Sequence, residues 1–178
     1  LWSRALLDRC RAHETPALQR IVVAVDPPVT SSKRADACGI VAAGIAESGT
    51  VYVIADDTVS GVTPALWAAK AIALWRRCEA DVLIADVNQG GEMVSAVLRN
   101  VDASVPLKTV HATRGKYLRA EPVAALYAQG KVKHVTPMPE LEDQMSDCGM
   151  RGLSSGGSPE RLAALVSGVT DFAGRTWG

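Results

Sequence analysis

Apolar positions change their spacing once along the chain. Before residue 56 they form continuous runs rich in β-branched and small residues, a pattern typical of strands buried on both faces. Three such strands are predicted, over residues 21–25, 38–45 and 50–55. Their connections predict an antiparallel meander.

From residue 63 onward, helical spacing alternates with short apolar runs. Thr63 and Pro64 predict a helix start, with threonine as N-cap and proline at the first helical position, and Ser158 with Pro159 repeat the signal. Helices are predicted over 65–79, 120–129, 140–147 and 159–172, and a further helix runs from the tight turn at 88–91 through residue 99. Strands are predicted over 82–85, 106–111 and 132–135, and a mobile Gly/Ser-rich segment over 150–157.

Three antiparallel strands followed by two parallel α/β units is the element order of the ribonuclease H-like fold. A doubly wound fold would alternate strand and helix from its first strand. We therefore predict an α/β, ribonuclease H-like domain over residues 20–178, with a central mixed sheet of five or slightly more strands and helices on both faces. Residues 1–19 are predicted to be a largely helical lead-in, and the start at Leu1 indicates a domain cut from a longer protein.

Composition limits the possible functions. The 178 residues carry 19 Lys+Arg and 19 Asp+Glu, so the chain is not a globally basic nucleic-acid binder, although a local basic patch remains open. The four cysteines lack CxxC spacing, which argues against a zinc site and favours reduced cytosolic thiols. No apolar run is long enough to span a bilayer, so we expect no membrane partner.

Two acids end the two most buried predicted strands. Asp26 follows the first strand and Asp86 follows the fourth, and these strands are parallel neighbours in the predicted topology. Both side chains should enter one crevice, where two carboxylates favour a shared Mg²⁺ or Mn²⁺. Alternatively, Asp26 caps a turn before two prolines and Asp86 merely ends its strand. Asp36 either supports the site or is solvated.

Basic residues concentrate in one stretch of this neutral chain. Residues 108–134 contain six Lys and Arg against one acid, Glu121. Arg114 and Lys116, in a predicted loop, suit sequence-independent contacts with DNA phosphates. The loop residues Lys33 and Arg34, close to Asp26 in sequence, are a second candidate contact. An ordinary solvated surface explains both groups equally well.

A series of motifs occurs in a familiar order over residues 18–172: IVVAVDPPVTS, ADACGIV, IADVNQGGEMV, TRGKYLRAEPVAALYAQGKVKH, PELEDQM and SPERLAALV. The series resembles the C-terminal nuclease domain of the phage terminase large subunit, especially the gene-transfer-agent and related tailed-phage group. The resemblance implies a metal-dependent endonuclease that cuts concatemeric double-stranded DNA. It also implies partners in the full-length protein, namely an ATPase domain, a small terminase subunit and the portal of a procapsid, in the host cytoplasm.

The resemblance assigns roles to five residues. Asp26 matches the metal ligand of the first strand, Asp86 the acid that ends the fourth strand, and Asp36 an auxiliary acid. Lys116 and Arg119 match a basic segment expected near DNA. A two-metal site holding Mg²⁺ or Mn²⁺ is implied.

One position departs from the family pattern. Relatives carry a third acid in the last helix, in a pattern like SPxRxDALV, where this chain has Ala163. The acid has been replaced by engineering, or cleavage has weakened naturally, or Glu160, one helical turn earlier, substitutes for it. Ser167 stands where relatives carry a bulky aromatic residue.

Two functions therefore stay open. The first is a two-metal endonuclease, inactivated or weakened by Ala163. The second is a non-catalytic module that guides DNA or docks on the portal. A resolvase-like or integrase-like nuclease would share the fold, but the DPPVTS and NQGG segments favour a terminase.

Overall fold

A six-stranded mixed sheet forms the centre of the protein in a computed structural model that describes residues 1–28, 37–87, 90–111 and 115–176, without the side chains of 174–176. The strands are β1 Leu18–Asp26, β2 Gly39–Ala46, β3 Val51–Asp56, β4 Val82–Asp86, β5 Leu107–Val110 and β6 Val132–His134. Their order across the sheet is β5-β4-β1-β2-β3-β6. β2 is antiparallel to β1 and β3, and every other pair in this sheet is parallel. The predicted meander and parallel units are confirmed, and β6 adds a sixth strand beside β3.

Helices cover both faces of the sheet, as predicted. They are α1 Arg4–Arg9, α2 Pro64–Arg77, α3 Gly91–Val101, α4 Lys116–Ala128, α5 Pro139–Asp147 and α6 Glu160–Thr176. Alternate residues of β1 serve different cores: Val22 packs with α4, α5 and α6, whereas Val23 packs with α2 and α3. A strand buried on both faces needs the continuous apolar run seen in its sequence.

The first nineteen residues differ from their predicted helix. α1 spans only Arg4–Arg9, and Leu18 and Gln19 already belong to β1. Leu18 pairs with Ala46 of β2, so β1 begins two residues earlier than residue 20, within the segment for which the sequence predicted a helical lead-in. Trp2 and Leu7 are buried in the core, so this segment packs onto the domain.

Two later predictions also need correction. α4 begins at Lys116, not at 120, and Pro122 lies inside the helix rather than in its first turn. The segment predicted to be mobile contains part of a small antiparallel pair, β7 Cys148–Gly149 with β8 Gly152–Leu153. Gly152 has φ +114° and lies against Tyr117, where a Cβ would come within 2.9 Å of the ring.

A buried polar cluster fixes the lead-in to the outer edge of the sheet. The backbones of Arg11 and His134 form a parallel bridge, and the Arg11 guanidinium pairs with Glu142, with one N–O distance of 2.7 Å. The His134 ring hydrogen-bonds on both sides, with Nδ1 3.2 Å from Glu142 Oε2 and Nε2 2.7 Å from the Tyr127 hydroxyl oxygen. The Met138 amide also donates to Glu142, at 2.8 Å. We call Arg11, Tyr127, His134 and Glu142 the edge cluster.

In the part of the chain that the structure describes, no helix has the length and apolarity needed to cross a bilayer. The four cysteines are free thiols.

Candidate metal centre at the carboxyl edge of the sheet

Asp26 and Asp86 lie side by side at the ends of two neighbouring parallel strands. β1 and β4 pair in register up to Val25 and Ala85, and each acid is the next residue of its strand. One strand spacing, about 4.8 Å, therefore separates their backbones. Both acids are 5% exposed. Two buried carboxylates at this separation need cations between or beside them.

Helix α4 supplies those cations from its first turn. Lys116 Nζ lies 2.7 Å from Asp26 Oδ2, and Arg119 Nη2 lies 2.9 Å from Asp86 Oδ2. Residues three apart share one face of a helix, so the two side chains reach the two strand ends together. We call Lys116 and Arg119 the α4 cation pair. Sequence reasoning expected both residues at DNA phosphates, and the structure pairs each with an acid of the candidate site.

The charge balance at Asp26 is incomplete despite this pairing. The pKa of Asp26 is raised to about 6, mainly by burial, and the nearby charges of Asp86 and Glu160 act in the same direction. Lys116 acts in the opposite direction through its charge and its hydrogen bond, without offsetting the burial. Asp26 is therefore a buried carboxylate whose one positive partner does not offset the cost of burying its ionised form.

Helix α6 lies over the two acids. Ser167 Oγ donates to Asp86 Oδ2 at 3.2 Å. Ala163 is four residues earlier and Glu160 seven residues earlier, so all three positions share the helix face toward the acids. Ala163 and Glu160 are both buried. An acid at position 163 would therefore face this corner of the sheet.

Gly39 permits the close approach of α6 to the site. It pairs with Asp26 across β1 and β2, and a Cβ at this position would lie 2.0 Å from the Glu160 carbonyl oxygen. Only glycine lets the first turn of α6 pass so near the strand. This contact brings Glu160 beside Asp26, in agreement with its effect on the pKa of Asp26.

The oxygens gathered here suit one divalent cation. Asp26, Asp86 and the Ser167 hydroxyl are the hard ligands that Mg²⁺ and Mn²⁺ prefer. The positive groups that already lie at both acids show that this corner accommodates positive charge. Within the described residues, however, no three His, Cys, Asp or Glu side chains come close enough together to hold a metal. Ala163 has no side-chain oxygen to offer a cation.

Four predicted site residues lie outside the described part of the chain: Lys33, Arg34, Asp36 and Arg114. Their roles stay predictions.

Part of the predicted basic stretch is engaged in ion pairs. Lys108 pairs with Asp171 at 3.0 Å, and Arg20 pairs with the same acid at 3.4 Å. Arg20 precedes Asp26 by six residues on β1, about 20 Å along a strand. Asp171 thus lies toward the opposite end of the sheet from Asp26.

Sequence reasoning missed the hydroxyl of Ser167 and the pairing of the α4 cations with the acids. The available signal for the cation pair was the spacing of Lys116 and Arg119, which places two positive charges on one helix face. The signal for Ser167 was its spacing of four residues from Ala163.

The mixed sheet, the helices on both faces and the two strand-end acids define a ribonuclease H-like domain, as predicted. The chain belongs to the terminase RNaseH-like domain family, whose model matches residues 23–169. None of the curated proteins matches the chain significantly in sequence.

Solved terminase structures share this fold at low sequence identity. The nuclease domain of the large terminase subunit gp2 of bacterial virus Sf6 has a TM-score of 0.69 at 13% identity, covering 94% of this chain and 96% of that one. The human cytomegalovirus terminase nuclease domain has a TM-score of 0.66 at 16% identity, covering 96% and 94%. The HK97 bacteriophage large terminase has a TM-score of 0.65 at 14% identity, covering 96% of this chain and 43% of that one.

Proposed function

We propose that the chain is the endonuclease domain of a DNA-packaging terminase and hydrolyses phosphodiester bonds of concatemeric double-stranded DNA. The observation that carries the proposal is the pair of buried acids, Asp26 and Asp86, on adjacent parallel strand ends of a terminase-family domain. Dependence on Mg²⁺ or Mn²⁺ is supported by two similar structures, a manganese-soaked cytomegalovirus domain and a gp2 variant with calcium.

Asp26 and Asp86 would hold the cation, with Asp36 as an auxiliary acid. A bound divalent cation lowers the pKa of a water and stabilises charge on the phosphodiester, and a two-metal site serves both the attacking and the leaving oxygen. Lys116 and Arg119 would bind phosphates beside the scissile bond, with Lys33, Arg34 and Arg114 as further contacts. Because Ala163 supplies no ligand, the second ion would be weakly held, with Glu160 as the candidate substitute.

The domain would act within a larger machine. We propose residues 1–19 as the lead-in from an ATPase domain of the full-length protein, with the small terminase subunit and the portal of a procapsid as partners in the host cytoplasm. The HK97 large terminase is more than twice as long as the segment this chain matches.

Ala163 favours a second candidate function, a non-catalytic module that guides DNA or docks on the portal. Such a module would keep the fold and the basic residues but would not cut.

Nicking of supercoiled plasmid with Mn²⁺, with and without chelator, separates the two functions. We expect the Ala163→Asp chain to nick strongly, because the added carboxylate faces the site, and the unchanged chain to nick weakly or not at all. Asp26→Asn in the Ala163→Asp chain should remove nicking. If neither chain nicks while both bind DNA in a gel-shift assay, the guiding module is the correct function.

A further inference from the structure

The α4 cation pair occupies the two acids that a divalent cation would use. We propose that Lys116 and Arg119 compete with the divalent cation for Asp26 and Asp86, and that DNA phosphates, by drawing the pair away, tighten metal binding. The inference rests on the proposed function, and it concerns how that metal site is loaded.

Positive groups already lie at both acids before any metal arrives. Lys116 pairs with Asp26 Oδ2, while Arg119 and Ser167 both reach Asp86 Oδ2. Each of the two acids thus has a positive partner at hydrogen-bond distance. A divalent cation bound at the same carboxylates would face two like charges a few ångströms away, which opposes its binding.

The cations are the movable half of each pair. The Asp26 and Asp86 side chains are 7% and 3% exposed, whereas those of Lys116 and Arg119 are 31% and 19% exposed. The acids are fixed at strand ends, but the long side chains extend from the first turn of α4, which has no side-chain cap at Gly115. Outward rotation of the cations therefore requires no movement of the sheet.

Arg119 also has an unused donor. Its Nε is buried and has no hydrogen-bond partner among the described residues. A buried donor without a partner is unfavourable, so the pairing of Arg119 with Asp86 leaves the guanidinium incompletely satisfied. A phosphate accepts two parallel hydrogen bonds from a guanidinium, so DNA offers Arg119 a fuller set of partners.

A phosphate that attracts the α4 cation pair leaves two buried carboxylates without compensation. The acids then bind a divalent cation more tightly, and by linkage the cation tightens DNA binding by the same factor. The domain would thus load its metal mainly when DNA is present.

The test measures Mn²⁺ binding to the chain without DNA, from the electron paramagnetic resonance signal of free Mn²⁺. Lys116→Gln should bind Mn²⁺ at least ~10-fold more tightly than the unchanged chain, within the range typical of coupled sites. Lys116→Arg keeps the charge and should stay near the unchanged chain. Lys108→Gln is the matched control, because it also removes a lysine from a buried acid, Asp171, at the far end of the sheet. Arg119→Gln, which frees Asp86 instead, repeats the test at the second acid.

The outcomes separate this inference from the proposed function. If Lys116→Gln and Arg119→Gln bind Mn²⁺ like the unchanged chain while Asp26→Asn loses binding, the metal site stands and the competition is wrong. If Asp26→Asn binds as well as the unchanged chain, Mn²⁺ does not use the acids and both proposals fail.

A second experiment measures DNA affinity, from the fluorescence anisotropy of a labelled duplex, with and without Ca²⁺. Ca²⁺ should tighten DNA binding by the unchanged chain and by Lys108→Gln, and much less by Lys116→Gln. An equal Ca²⁺ effect in all three chains would contradict the coupling.

Discussion

Asp26 and Glu142 are both buried carboxylates that lie beside cations, yet their surroundings shift the two pKa values in opposite directions. At the candidate metal centre, burial raises the pKa of Asp26 to about 6 in spite of Lys116. In the edge cluster, burial also acts to raise the pKa of Glu142, but hydrogen bonds from His134, Arg11 and the Met138 amide outweigh it and hold the pKa well below its usual range. Three residues donate hydrogen bonds to Glu142, whereas Lys116 is the one charged donor to Asp26 among the described residues.

The donors explain what each cluster is suited to do. Glu142 is surrounded by donors from the lead-in, β6 and the start of α5, and His134 behind it is fully buried with Tyr127. Such a network is complete and has no need of a ligand. Asp26 has one charged partner that is partly solvent-exposed, which leaves it in need of an external cation. The edge cluster is therefore suited to a structural role, whereas the acids of the candidate metal centre are suited to binding a cation.

The largest expected effect comes from removing Asp26, with Asp171 of α6, which pairs with Arg20 near the other end of β1, as the comparison. In the nicking-competent Ala163→Asp chain, Asp26→Asn should abolish Mn²⁺-dependent nicking, because Asp86 and the introduced carboxylate would lack the ligand that ends β1. Asp171→Asn removes an acid that is also paired with a lysine and an arginine, at the other end of the sheet, and should leave nicking intact. Equal loss in both variants, measured by plasmid relaxation, would mean that the assay reports folding rather than the site.

The next effect belongs to the edge cluster. Glu142→Gln should lower the free energy of unfolding by about 3 to 4 kcal/mol, toward the lower end for a broken buried ion pair because Arg11 is partly exposed. Urea unfolding followed by circular dichroism measures this loss.

Mn²⁺ affinity is the second measurement on the Glu142→Gln chain. Unlike the stability, the affinity should be unchanged in the folded chain, because Glu142 lies outside the candidate metal centre. A changed Mn²⁺ affinity would show that the two clusters are coupled and that the comparison between them is too simple.

Much of the fold could be predicted because its signals are local. The continuous valine-rich run of β1 predicted a strand buried on both faces, and Thr63 with Pro64 predicted the start of α2 to within a residue. The parallel pairing of β1 and β4, which brings Asp26 and Asp86 to one edge, followed from element order alone.

The remaining features depend on packing between distant parts of the chain. Lys116 is 90 residues from Asp26 in sequence, and only the position of α4 over the strand ends makes them partners. Trp2 and Leu7 lie in the segment LWSRALLDRC, whose sequence predicted a helical lead-in but did not reveal that these side chains enter the core. Sequence reasoning assigned no role to His134, because the partners of its ring come from two different helices.

The smallest effect is the pH dependence of stability, measured by urea unfolding in EDTA between pH 4 and pH 8. Because the folded-state pKa of Asp26 is raised from 3.8 to about 6, its contribution is favourable below pH 4 and is lost as pH rises through 6. A rise of about two pKa units corresponds to about 3 kcal/mol at most, and solvent around the exposed part of Lys116 screens some of it. Asp26→Asn should therefore match the unchanged chain at pH 4 and be about 1 to 2 kcal/mol more stable at pH 8.

The pH dependence that Glu142 gives to stability has the opposite sign. Its lowered pKa stabilises the fold above about pH 4.5 and less as pH falls, so the loss of stability caused by Glu142→Gln should shrink toward pH 4. If Asp26→Asn is instead the less stable chain at pH 8, the Asp26–Lys116 pair is a net stabilising ion pair, and the contrast between the two clusters is wrong.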